Sequence, residues 1–156
     1  MFSLNYLRYS AEQIVWQEVP GEVALAFTIT GCSIGCKGCH SVDSWPAGSG
    51  QLLNKEHLEQ QLYKYSGLIS CVLFLGGEWQ PEALITLLKV VRKKGLETCL
   101  YSGAEDVSLA ISEQLTYLKV GPWIAHRGGL DSPATNQRFY DLRNKQLLNS
   151  EFQRRK

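Results

Sequence analysis

Val23-Ala24-Leu25-Ala26-Phe27-Thr28-Ile29-Thr30 runs without a break into Gly31-Cys32-Ser33-Ile34-Gly35-Cys36-Lys37-Gly38-Cys39. The first part is apolar, rich in β-formers and closed by a glycine, the pattern of a buried strand. The second part is a glycine-rich loop holding three cysteines in C-x3-C-x2-C spacing. A strand that ends in a loop dense with potential ligands is the opening unit of an α/β domain, where ligands collect beyond the C-terminal ends of the strands.

The same strand–loop–helix order repeats downstream. Asn54 is an N-cap for a helix over 55–66, with Leu58, Leu62 and Tyr65 at helical spacing. Ser70-Cys71-Val72-Leu73-Phe74-Leu75 reads as a second buried strand and runs into Gly76-Gly77-Glu78. Pro81 opens a helix with Leu84, Leu87, Leu88 and Val91 on one face, which Gly95 stops. A third strand over 96–101 ends at Ser102-Gly103, a short helix covers 105–114, and a fourth strand covers 117–121. Residues 137–142 read as one more strand. The predicted fold is therefore α/β, with a mostly parallel sheet and right-handed crossovers. The strands are too few to close an eight-stranded barrel, so a partial, open (β/α) barrel is expected. One domain over 1–142 and a polar tail over 143–156, either a frayed helix or disordered, complete the organisation.

Five cysteines, three of them clustered, make a poor disulfide framework and a good metal-ligand set for a reducing compartment. Thiolates are the usual ligands of iron–sulfur clusters, and the common cubane takes four. Three close cysteines, Cys32, Cys36 and Cys39, leave one iron open to a further ligand. Zinc bound with His40 as fourth ligand is the competing reading, which would make the chain a non-catalytic interaction module. The spacing is unlike paired C-x2-C knuckles, and His57 and His126 stand alone. Cys71 and Cys99 fall inside predicted strands and read as core. The formal net charge of +1 gives no field for non-specific nucleic-acid binding. No apolar run is long enough for a membrane span and no signal peptide is evident, so a cytoplasmic protein is expected.

C-x3-C-x2-C behind the first strand, followed by Gly-Gly-Glu at the next strand end, resembles the signature of the radical S-adenosylmethionine superfamily. The resemblance implies a [4Fe-4S] cluster on Cys32, Cys36 and Cys39. It also implies an S-adenosyl-L-methionine site that draws on Gly38, His40, Gly76, Gly77, Glu78 and Ser102, with no catalytic residue beyond the cluster and cofactor site. Trp79 follows Glu78 where the superfamily usually has proline. The short chain, Thr30-Gly31-Cys32, Gly38-Cys39-His40, Trp45 and the stretch from Gly129 to Tyr140 are similar to the small activating proteins of anaerobic ribonucleoside-triphosphate reductases. That likeness implies an oxidoreductase that generates a glycyl radical on a large reductase subunit, served by a low-potential electron donor such as flavodoxin. A radical enzyme acting on a small molecule, or on another glycyl-radical enzyme, is the alternative of the same chemistry. The aperiodic loop over 122–134 and the following residues 135–140, with Trp123, Arg127 and Arg138, are expected to help dock the large partner; closing the open edge of the sheet is the alternative role.

Overall fold

The computed structural model describes residues 7–30 and 50–153. Among them a single mixed sheet runs in the order β3-β1-β2-β4-β5-β6-β7-β8. The strands are β1 (Leu7–Val15), β2 (Ala24–Ile29), β3 (Gln51–Leu53), β4 (Cys71–Leu75), β5 (Glu97–Tyr101), β6 (Tyr117–Val120), β7 (Arg138–Asp141) and β8 (Gln146–Leu147). The helices are α1 (Lys55–Lys64), α2 (Pro81–Lys93), α3 (Leu109–Ser112) and α4 (Asn149–Gln153). β2, β4, β5 and β6 are parallel neighbours, and the strands outside them pair antiparallel. The terminal strands β3 and β8 do not pair with each other, so the sheet stays open.

Alternation along the four parallel strands sorts their side chains into two packed layers. Leu25, Phe27 and Ile29 of β2, Val72 and Phe74 of β4, Leu100 of β5, and Leu118 and Val120 of β6 pack under α1, α2 and α3. The helix α2 supplies six buried residues to that layer, including Leu84 and Leu88 at 0% exposure. Each buried leucine stabilises the fold by roughly 1.5–3 kcal/mol. Because the three connecting helices share one face while the strands progress in one direction, all three crossovers have the same hand.

The opposite layer is built from smaller residues, Ala24, Ala26, Cys71, Leu73 and Cys99, topped by Tyr117, Leu130, Phe139 and Phe152. Cys71 and Cys99 are free thiols at 0% exposure, and burial pushes both far up from the ordinary cysteine value.

Two segments take forms that the sequence pattern did not announce. β1 joins β2 across a turn at Val19–Glu22, where Glu22 N–H donates to the Val19 carbonyl and Gly21 takes φ +79. Pro20 and Gly21 suit the two central positions of a type II turn. At the other end, the segment read as a polar tail enters β8 and α4. Phe152 packs on Phe139 with ring centroids 5.1 Å apart, and Asn149 accepts from Phe139 N–H and donates to the Gln137 carbonyl.

Candidate functional site

The last residues of β2, β4, β5 and β6 that face away from α1, α2 and α3 lie side by side across the sheet. Thr28 is in register with Leu75, Leu75 with Tyr101, and Tyr101 with Lys119. These four are only partly buried, whereas their neighbours deeper in the same layer are closed off. They form a row across the sheet, and Gly76 and Ser102 follow directly at the rim.

The rim is fixed by backbone. Gly76 N–H donates to the Tyr101 carbonyl at 2.9 Å, and Ser102 N–H to the Lys119 carbonyl at 2.8 Å, extending the parallel ladder past both strand ends. Gly76 and Gly77 then adopt φ +103 and +113, a region that side chains rarely enter. A Cβ on Gly76 would also sit 2.7 Å from the Trp79 ring. The chain turns back through a Gln80 N–H to Gly77 carbonyl bond and enters α2 at Pro81.

This turn places Glu78 against Ser102. Ser102 is fully buried, and its Oγ accepts from Ala104 N–H at 3.0 Å. Its hydroxyl hydrogen is thereby directed to Glu78 Oε2 at 2.9 Å. Glu78 Oε1 is buried with no hydrogen-bond partner, one of two such side-chain atoms among the described residues. Burial pushes the Glu78 carboxyl up. Its own backbone N–H, the Ser102 hydroxyl and the Lys119 charge pull the other way. A buried carboxylate oxygen without a donor is a costly arrangement, and it calls for a ligand that supplies one. Removing the hydroxyl with Ser102→Ala should push Glu78 further up and loosen it. The expected loss of affinity for a cationic ligand is about fivefold, corresponding to roughly 1 kcal/mol for one hydrogen bond, readable by titration calorimetry.

Lys119 is the site residue that sequence reasoning missed. Its ammonium lies 5.2 Å from the centroid of the Tyr101 ring, and its charge acts on Glu78. The available signal was a lysine inside the apolar run Tyr117-Leu118-Lys119-Val120, on the parity of the site-facing row.

Cys32, Cys36, Cys39, Gly38 and His40 lie outside the described residues, within 31–49. The two ends of that segment are nevertheless placed. Thr30 N–H donates to the Arg8 carbonyl at 2.9 Å, and the Arg8 guanidinium donates to the Gly50 carbonyl at 3.1 Å. Tyr9 of β1 is in register with Ile29 on one side and Gln51 on the other. β1 therefore holds both ends of the cysteine segment on adjacent residues. Gly50 has φ +84, and a Cβ there would meet the Tyr9 carbonyl oxygen at 2.4 Å. Gly50→Ala is expected to destabilise the protein by about 2 kcal/mol or more, seen as a lower unfolding midpoint in denaturant.

A cysteine-rich segment that follows the first parallel strand and leads into β3, on the far side of β1, lies within the match to a known family. Residues 19–122 match the 4Fe-4S single cluster domain. The chain belongs to this family. The matched span runs from the turn before β2 to the residue after Gly121, so it takes in all four parallel strands, the cysteine motif and the Glu78–Ser102 rim of this 4Fe-4S domain. The chain is also 32% identical to a pyruvate formate-lyase-activating enzyme from Clostridium pasteurianum. That match covers 59% of this chain and 41% of the relative, so the chain spans less than half the length of that protein.

Among the described residues no helix is long and apolar enough to cross a membrane. Nor does any group of three or more His, Cys, Asp or Glu among them stand ready to hold a metal ion.

Proposed function

We propose that this 4Fe-4S domain is a radical S-adenosylmethionine activating enzyme. In this reading Cys32, Cys36 and Cys39 hold the cluster. The rim formed by Gly76, Gly77, Glu78 and Ser102 holds S-adenosylmethionine, with Gly38 and His40 contributing from the cysteine segment. The observation that carries the proposal is the buried Glu78 Oε1 without a donor, at a strand end that directly follows the ligand-dense one. The ammonium of an amino acid moiety fits it, because it offers both a donor and a compensating charge. The glycine backbones at 76 and 77 leave room for such a group to approach closely. Lys119, on the same row, suits the matching carboxylate.

When bound, a reduced cluster and S-adenosylmethionine would supply one-electron cleavage of a carbon–sulfur bond, the chemistry needed to remove a hydrogen atom from a glycine of a protein substrate. The residues of this chain orient and shield. Ser102 fixes the Glu78 carboxylate, Glu78 anchors the amino acid end, and β1 ties down the segment that carries the cysteines.

The likeness of the stretch from Gly129 to Tyr140 favours the large subunit of an anaerobic ribonucleoside-triphosphate reductase as the protein substrate, with a low-potential donor such as flavodoxin as electron source. The clostridial relative, whose name assigns it to pyruvate formate-lyase, keeps a second glycyl-radical enzyme in view. The proposal is tested on protein prepared without oxygen. Iron and acid-labile sulfide in equal amounts, and methionine release from S-adenosylmethionine on reduction, are the expected results. Zinc without sulfide would overturn it. A glycyl radical detected by electron paramagnetic resonance on the reductase, and not on pyruvate formate-lyase, would assign the partner.

A further inference from the structure

Away from the cofactor rim, α1 and α2 pack side by side and leave a groove of about 410 Å³ between them. Lys55 and Glu59 of α1 line it, facing Lys89, Lys93 and Lys94 along α2. Four lysines against one glutamate make a formal surplus of +3 in a chain whose total is +1. The rest of the chain therefore sums to a formal −2, so the groove is basic against a mildly acidic remainder. Among the described residues none of these four lysines forms an ion pair or a side-chain hydrogen bond, whereas Arg92, Arg127, Arg138 and Arg143 are all engaged.

Helix stability does not account for this placement. Lys93 and Lys94 suit the C-terminal end of α2, but Lys55 opens α1, the end at which the helix dipole disfavours a cation. Lys89 and Lys93 stand four residues apart on α2, a like-charge spacing that opposes the helix.

A second hollow of about 250 Å³ adjoins the first and shares Lys94 with it. Its walls include Leu62, Tyr63, Ile69 and Leu96. Tyr63 is 86% exposed, and Leu68, between the lining residues Gly67 and Ile69, is 54% exposed. The surface is basic at one end and aromatic to apolar at the other.

We infer that the α1–α2 groove docks an acidic protein segment that seats an apolar side chain in the hollow beside Tyr63. Carboxylates complement the lysines, and an apolar anchor covers ring and leucine surface that a bare phosphate or a nucleic-acid backbone would leave wet. This docking face stands independently of the proposed cofactor chemistry.

The test uses the full chain and a short fluorescent peptide of alternating Asp and Glu with a central Phe-Leu pair. Saturable binding by fluorescence anisotropy, weakened by added salt, is expected, with amide shifts mapping to α1 and the C-terminal half of α2. The double variant Lys89→Glu, Lys93→Glu should weaken it about tenfold or more, and Tyr63→Ala several-fold, with the circular dichroism spectrum and melting unchanged. Three results would overturn the inference: no saturable binding, binding indifferent to both variants, or equally tight binding of tripolyphosphate or single-stranded DNA at the same residues.

Discussion

Replacing any one of Cys32, Cys36 or Cys39 with Ala is expected to strip the iron–sulfur chromophore from the protein and abolish reductive cleavage of S-adenosylmethionine. The effect is near total because each thiolate is one of only three protein ligands proposed for the cluster. Cys71→Ala and Cys99→Ala are the matched controls. Both thiols lie at 0% exposure in the layer with Ala24, Ala26 and Leu73, where a small side chain fills space. Their loss should lower stability by about 1–2 kcal/mol and leave iron and sulfide content unchanged. Measured per chain after anaerobic reconstitution, the five variants should fall into two groups. A cysteine of the motif whose alanine variant retains a full cluster is not a ligand.

The four parallel strands were readable because each is buried on both faces and so appears as an unbroken apolar run. The expected α/β fold with an open sheet stands on them, and the helix α2 was equally plain from its leucine spacing and its Pro81 and Gly95 boundaries. β1 was not readable. Its inward residues are Leu7, Tyr9 and Val15, but Glu12 and Gln13 interrupt them, and the register with β2 shifts between Tyr9 and Ala11. A bulge breaks the two-residue period on which strand recognition depends. β3 has three residues, too few to show any period, yet with β1 it frames the cysteine segment. The C-terminal segment looked polar because a single aromatic residue, Phe152, does most of its packing.

The site divides along the same line. Gly76, Gly77, Glu78 and Ser102, proposed to hold the cofactor, could be singled out because they stand where the apolar runs end. Lys119 could not, because a lysine within a strand reads as a solvent-facing position unless the register of its neighbours is known. The loop over 122–134 has internal contacts that its composition does not announce. Arg127 stays exposed while its Nε donates to the Ala134 carbonyl, and Thr135 Oγ1 donates to the Gly128 carbonyl. Leu130 is buried in the core layer that faces away from α1, α2 and α3. The loop folds on its own backbone, which gives its composition a packing role that no periodic pattern reveals.

Glu78→Gln should separate the binding role of this carboxylate from a structural one, because the two readouts move in opposite directions. In the ligand-free protein Glu78 is raised above its ordinary value by burial. The folded state then holds a proton over a pH range where the unfolded chain has released it. Stability is therefore highest at low pH, and is lost as pH rises through the raised value. Gln removes that penalty, so the variant should melt higher than the wild type at neutral and alkaline pH. The advantage should vanish below about pH 4, where an unperturbed glutamate is itself protonated. Each kcal/mol would appear as roughly 2–4 °C in a chain of this size. Affinity should fall at the same time, since an amide cannot neutralise an ammonium. Loss of a charge-assisted hydrogen bond of about 1.5–3 kcal/mol weakens S-adenosylmethionine by between roughly tenfold and a hundredfold, with the cluster intact. Wild-type affinity should weaken as pH drops and Glu78 takes up its proton, whereas the variant should show a flat profile across the same range. A variant that melts higher but binds as tightly as the wild type would remove Glu78 from the cofactor site and leave its bare Oε1 a matter of folding alone.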